Sequence, residues 1–264
     1  MSEASTETAV TKVAGGLPAV PDEGTWGAEN ISSQDILIPK ILLMQGLSKF
    51  VMDEDSTARA GEFRDSLTGD LLGNKEKPLE VVAFTSFKVW IEQEEKGSEL
   101  EYLRTIPITA ENEGWDLVEE VDGKIIRRDR CHNFYVLIPD QVKEGSSFPY
   151  VISFRRSTYQ TGKKLSTYAT KLAMRNQPLA SQVFEISTVK TENDKGVFYI
   201  TDIKPSRVAE KEEKAAAWQW YQTLSKSSDN VKVDDSDLAV EAKAATKKKK
   251  SSSSAVVDGD NIPF

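Results

Sequence analysis

The feature that most constrains this chain is a series of segments dominated by β-branched and aromatic residues. They are "LEVVAFTSFKVWIEQ" from Leu79, "ELEYLRTIPI" from Glu99, "CHNFYVLIPD" from Cys131 and "FPYVISFRRS" from Phe148, followed later by "QVFEISTVK" from Gln182 and "GVFYITDIK" from Gly196. Such residues suit a pleated, half-buried surface, and Gly, Pro or acidic turns bound each run. The last two runs are joined by Thr191-Glu192-Asn193-Asp194-Lys195-Gly196, which supplies hairpin turn chemistry. Between the fourth and fifth runs the period changes. In "QTGKKLSTYATKLAMRN" the residues Leu165, Tyr168, Ala169 and Leu172 recur at i, i+3, i+4 and i+7, which predicts an amphipathic helix. A second helix is expected from about Ser206 through "AEKEEKAAAWQWYQTLSK".

Several strands, a helix, two strands and a capping helix is the order expected of an OB-fold. The expected class is therefore mainly β: an OB-fold-like antiparallel barrel with one internal helix, a capping helix and disordered N- and C-terminal segments. The competing layout is a generic antiparallel α+β domain. Residues 1–30, rich in Ser, Thr, Ala, Gly and Pro, read as a flexible arm. Residues 31–226 form the domain, opened by an N-terminal extension in which "DILIPKILLMQ" looks extended and Thr68-Gly69-Asp70 marks a turn. Residues 227–257 are low in complexity and mixed in charge, as in a disordered linker. Residues 258–264 form a tip.

The net charge is −8, which argues against a basic coat that binds duplex DNA or anionic membranes indiscriminately. Any anion site must be local. The single Cys131 excludes an internal disulfide, and with His132 as the lone histidine there is no Cys/His set for zinc. The acidic, small-residue start lacks the features of a secretory signal, and "ILIPKILLM" is too short and too interrupted to cross a bilayer. A cytoplasmic protein that engages no membrane is expected.

Charge is segregated along the middle of the chain. From Ile91 to Gly123 there are eleven acids against Lys96 and Arg104. From Val151 to Ala180 there is no acid, and Arg155, Arg156, Lys163, Lys164, Lys171 and Arg175 occur there with Phe154, Tyr159 and Tyr168, just after Phe148 and Tyr150. Charge runs usually do no more than solvate an exposed face, and strand aromatics are usually core. Cations interleaved with rings are nevertheless what single-stranded nucleic acid requires, because it exposes phosphates and base faces together. The candidate DNA-binding residues are therefore these six cations, with Phe154 and Tyr159 as the nominated stacking rings. Four to six simultaneous phosphate contacts predict a salt slope of roughly −3 to −4.

Enzymatic signals are weak. Pro139-Asp140 lacks the following Glu-x-Lys or Asp-x-Lys of a nuclease, His132 has no evident nucleophile or carboxylate partner, and "LTGDLLGNKEK" lacks phosphate-loop spacing. The expectation is a non-enzyme that needs no cofactor and no metal.

The chain ends on "DGDNIPF", an apolar tip that Pro263 bars from continuing a helix and that lies beyond a polar stretch unable to order itself. This end resembles the acidic, Ile-Pro-Phe-terminated tip of bacterial single-stranded-DNA-binding proteins, and an acidic tail with a terminal Phe resembles phage single-stranded-DNA-binding proteins. The resemblance covers about seven residues and implies a tip that recruits replication and repair enzymes. Phe264, Pro263 and Ile262 would enter an apolar pocket, while Asp258, Asp260 and the terminal carboxylate meet Arg or Lys. This tip differs from that pattern in having two Asp, Asn261 in a place often acidic, and Lys247 to Lys250 just upstream. The longer body favours a phage-type or divergent bacterial-type protein, in the former case acting in the bacterial host cytoplasm.

The function expected from these features is to bind and protect single-stranded DNA during replication or recombination, and to recruit enzymes such as polymerase, helicase or primase through the tip. A homo-oligomer is compatible with this. The alternative is a scaffold or inhibitor that occupies the tail-binding pocket of host replication enzymes without touching DNA.

Overall fold

The computed structural model describes residues 36–53, 56–97, 99–194, 196–226 and 232–233. Residues 1–30, the tip and all of the expected linker except Lys232 and Val233 (the ranges 1–30, 227–231 and 234–264) therefore lie outside the described residues. The N-terminal extension supplies β1 (Leu37–Ile38), β2 (Lys40–Leu43), the short α1 (Lys49–Met52), β3 (Phe63–Asp65) and β4 (Leu71–Gly73). Two long strands follow, β5 (Leu79–Lys96) and β8 (Lys124–Leu137), with β6 (Glu99–Pro107) and β7 (Val118–Val121) between them. Next come α2 (Pro139–Lys143), β9 (Tyr150–Arg155), a 3-10 turn at Arg156–Thr158 and α3 (Tyr159–Ala173). The chain continues through β10 (Gln182–Asn193), β11 (Gly196–Val208), α4 (Lys211–Lys226) and β12 (Lys232–Val233).

The fold is mainly β, with α3 lying between β9 and β10 and α4 following β11, as the hydrophobic periods predict. The main sheet has ten strands in the order β11-β10-β5-β8-β9-β2-β3-β4, with β6 on β5 and β7 on β8. It is mixed, because β2 runs parallel to β9, and it does not close into a barrel. The N-terminal extension is the reason. Pairing of Lys40 with Val151 and of Ile41 with Ile152 occupies the β9 edge, and among the described residues β11 has no strand partner on its outer side.

That outer edge is met by side chains instead. The Gln45 amide donates to the Tyr199 carbonyl at 2.8 Å and accepts from the Tyr199 N–H at 2.9 Å. The Thr161 hydroxyl donates to the Thr201 carbonyl at 2.6 Å. Gly61, at φ +92°, lies so close to the Tyr199 ring that a Cβ there would sit 2.6 Å from it. We expect Gln45→Ala, which strips both partners from the Tyr199 peptide, to lower the unfolding free energy by about 1–2 kcal/mol, read as a reduced urea midpoint with unchanged slope. An unchanged midpoint would show that water replaces the amide without cost.

Both faces of the central strands are buried, which is why "LEVVAF" reads as an almost unbroken apolar run. Leu79, Val81, Ala83, Phe134, Phe154, Ile152, Ile186 and Leu165 form one core beneath α3. Val82, Phe84, Leu137, Val151, Val183, Ala217 and Leu224 form a second, against α4. Under α4 the Glu213 carboxylate is 1% exposed and receives two guanidinium bonds from Arg207, at 2.6 and 3.0 Å. Burial pushes its pKa up, but Arg207 and the Glu210 amide outweigh that and hold it below the usual carboxylate range.

Beyond the body, β6, β5, β8 and β7 continue as a four-stranded arm, and here the acidic run acquires its partners. Glu92 bonds Arg128 and Arg104, each at 2.7 Å, Glu95 bonds Arg127 at 2.6 Å, and Glu119 bonds Arg128 at 2.6 Å. Lys96 pairs with Glu101, and Lys124 approaches Glu94. Charges separated in sequence are thus cross-strand neighbours. Burial raises the Glu92 pKa, but its two arginines reverse the shift and keep it ionised below the ordinary range.

Candidate nucleic-acid interface

The helix at the centre of the acid-free run is held against the sheet by a glycine. A Cβ on Gly162 would lie 2.9 Å from the Phe154 Cβ and 3.3 Å from the His132 Cβ, so only glycine lets α3 approach β8 and β9 this closely. Thr161, Gly162 and Leu165 are buried, and Tyr168 and Leu172 pack on the core. The opposite face carries Gln160, Lys163, Lys164, Thr167, Thr170 and Lys171, all exposed, and continues past the helix end through Met174 and Arg175.

The six candidate cations separate into three groups. Lys163, Lys171 and Arg175 are exposed and have no carboxylate partner among the described residues; Lys163 lies 5.3 Å over the Tyr159 ring and Lys171 lies 5.9 Å over that of Tyr168. From Lys163 to Arg175 this ridge runs about 18 Å. Lys164 is exposed but bonds Asp202 of β11 at 2.6 Å, a pair accessible enough to contribute little stability and to be exchanged. Arg155 and Arg156 belong to the turn that precedes α3. Arg155 is half-buried and 4.0 Å from Asp129, and Arg156, at φ +48°, bonds both Asp129 and the Gln93 side chain, the latter at 2.7 Å. These bonds hold a non-glycine residue in the left-handed region and fasten the turn to the arm.

The two nominated rings also diverge. Tyr159 is half-buried at the start of α3, beneath Lys163. Phe154 is fully buried, in edge contact with Phe134 at 6.0 Å, and this corrects its assignment as a stacking residue. Strand pleat is the cause: β9 sends Phe154 into the core and its neighbour Arg155 to the opposite face.

That opposite face holds a feature the sequence did not single out. Phe87, Asn133 and Ser153 align across β5, β8 and β9, and Thr85, Tyr135 and Val151 form the adjacent row. The rings of Phe87 and Tyr135 are 5.1 Å apart and half-buried, and the Ser153 hydroxyl donates to the Asn133 side-chain Oδ1 at 2.6 Å. Each residue lay in a strand run that could be read, but cross-strand register depends on pairings that sequence spacing does not state.

The remaining chemical candidates have structural partners. His132 is buried on Phe134, its Nδ1 is 3.2 Å from the Ser166 hydroxyl, and burial together with Lys88 pushes its pKa down to about 4. Asp140 pairs with Lys77 at 2.9 Å. Among the described residues no group of three or more His, Cys, Asp or Glu side chains could hold a metal, and no helix is long and apolar enough to cross a membrane.

The protein-family model described as Pam3 phage gp34-like protein matches residues 8–252 of the chain. The chain belongs to this phage family. The matched region takes in the whole sheet, α3 and α4, and stops before Asp258. No curated protein and no solved structure matches the chain.

Proposed function

We propose that this protein binds single-stranded DNA, with α3 as the surface that follows the phosphate backbone, and that it recruits replication or recombination enzymes through Ile262, Pro263 and Phe264 with Asp258 and Asp260 beside them. The supporting observation is the outward face of α3. Lys163, Lys171 and Arg175 stand there without carboxylate partners among the described residues, in a stretch that contains no acid, while most other described cations are paired. The rings of Tyr159 and Tyr168 lie directly beneath two of these lysines, where an unstacked base has both a cation and a π-face to meet. No cofactor enters this reading. A phage replication or recombination role in the host cytoplasm is in keeping with the family.

A titration of the full-length protein with a single-stranded oligonucleotide, followed through its five tryptophans, tests the reading. Three unpaired cations lower the expected dependence of log affinity on log salt to a slope of about −2, steepening toward −3 if Lys164 exchanges Asp202 for phosphate. Replacing Lys163, Lys171 and Arg175 together by Ala should flatten it. Affinity independent of salt, or untouched by that triple change, would remove α3 from the interface. No binding at all would favour the scaffold or inhibitor alternative.

A further inference from the structure

Two tryptophans of α4, two residues apart, face in different directions. Trp220 is turned inward: its ring meets Phe148 edge-on at 5.5 Å and its N–H donates to the Ser147 carbonyl, while Glu213, Ala217 and Leu224 are buried on the same side of the helix. Trp218 is 58% exposed and stacks on Tyr221, 41% exposed, with ring centroids 5.6 Å apart and planes 20° from parallel. Lys211, Lys214, Trp218 and Tyr221 recur at i, i+3, i+7 and i+10, so one outward stripe leads from two lysines to the ring pair. Both lysines are exposed and have no carboxylate partner among the described residues; Glu210, one turn before Lys214, approaches Arg207 and Lys143 instead, at 3.7 and 3.6 Å. Glu212 is exposed as well, but it lies about 100° round the helix from Lys211.

We propose that this stripe is a second contact surface for single-stranded nucleic acid, with a base stacked on the Trp218–Tyr221 pair and phosphates on Lys211 and Lys214. The inference rests on the single-stranded-DNA reading of α3 and extends it to the other face of the sheet. Chemistry selects the occupant. Two nearly parallel rings on the outward side of a helix offer a flat π-surface, which suits a planar group that adds to the stack, and the flanking charges have the sign that phosphate requires. The anchor residues of a protein partner gain most where they fill a desolvated pocket, and a convex helix face supplies none. The same combination of a lysine beside an aromatic ring recurs on α3, at Lys163 with Tyr159 and at Lys171 with Tyr168.

The segment that joins the two faces gives a strand its route. Leu179 packs on the core beneath α3, Ala180 belongs to the core against α4, and the Ser181 carbonyl accepts the Ala209 N–H at 2.9 Å, two residues before α4 begins. The 3-10 turn Leu179–Ser181 thus passes from one face of the sheet to the other. It can do so because β10 pairs with β5 only over Leu79–Val82 and β6 joins only from Val89, which leaves that edge of β5 without a strand in between among the described residues. From Arg175 at the end of α3 to Ser181 is at most about 21 Å of chain. No acid occurs from Val151 to Phe184, so the cationic ridge of α3 continues over an uncharged crossing to the end of α4 that bears Lys211 and Lys214.

Fluorescence anisotropy of a labelled single-stranded oligonucleotide of about 30 nucleotides, longer than the roughly 4–16 that one OB fold covers, tests this on the full-length protein. Trp218→Ala with Tyr221→Ala should weaken binding at least about tenfold at a nearly unchanged melting temperature. Trp218→Phe keeps a ring, so it should bind like the wild type yet lose part of the tryptophan quenching that the oligonucleotide causes. On this long strand the wild-type salt slope should be steeper than the α3 cations alone provide, and Lys211→Ala with Lys214→Ala should make it shallower by about 1.4, at roughly 0.7 per phosphate. Wild-type affinity in either double variant, while the triple alanine change on α3 weakens binding, overturns the α4 surface and leaves the α3 reading in place; the ring pair would then be a protein-docking feature. Undiminished quenching in Trp218→Phe overturns it equally. A wild-type protein that binds no oligonucleotide overturns both readings together.

Discussion

Phe154→Ala should cost about 3–5 kcal/mol of folding free energy, whereas Tyr159→Ala should leave stability nearly intact. Phe154 is wholly buried between Phe134 and the turn of α3 that contains Gly162, so removing its ring leaves a cavity under the helix that carries the proposed phosphate contacts. Neither backbone can collapse to fill it, since both are held in place, β9 by its pairing with β8 and α3 by the Thr161 bond to Thr201. The mutant should melt well below the wild type and bind oligonucleotide in proportion to its folded fraction. Tyr159 lies half-buried beneath Lys163, and its alanine variant should instead lose about 1–3 kcal/mol of oligonucleotide affinity at unchanged melting temperature. Thermal melts and titrations on the same samples separate the two. A Phe154→Ala protein of wild-type stability would mean that the ring is not a core residue in solution.

The second large effect is expected at the end of the chain. Deleting Asp258 to Phe264 should abolish capture of a polymerase, helicase or primase, and Phe264→Ala alone should account for most of the loss, roughly thirtyfold in affinity, or about 2 kcal/mol. A terminal aromatic ring that fills a desolvated pocket is the kind of anchor that carries energy out of proportion to its size. Single-stranded oligonucleotide affinity of the truncated protein should be unchanged or tighter, most visibly at low salt, because the tip carries two Asp and a carboxylate that would compete with phosphates for cations. Pull-down with the purified enzymes and oligonucleotide titration read the two effects separately. If truncation weakens DNA binding, or leaves enzyme capture intact, the tip is not the recruiting element.

Several features were open to inspection before any coordinates. The strands from Leu79, Cys131 and Gln182 carry β-branched and aromatic runs that no helix would favour. Leu165, Tyr168 and Leu172 share one helical face for the elementary reason that 3.6 residues make a turn, and that spacing also placed Lys164, Lys171 and Arg175 away from the core. These properties are local, so spacing and composition determine them: a mainly β chain, a helix between two groups of strands, and a cationic face without acids.

Partner choice is not local, and only the tertiary structure decided it. The pairing of β2 with β9 keeps the sheet open, yet Lys40 and Val151 are more than a hundred residues apart and nothing in either segment names the other. Arg156 and Lys164 look like their neighbours in sequence until Asp129, Gln93 and Asp202 arrive from other strands and engage them. The acids from Glu92 to Asp122 appear as a block relieved only by Lys96 and Arg104, but antiparallel pairing sets Arg104, Arg127 and Arg128 across from several of them and leaves others without an ion-pair partner among the described residues. Whether a charge is available to a ligand depends on what lies within a few ångströms of it, and that distance is set by which strands pair, a choice made by the whole sheet rather than by any one segment.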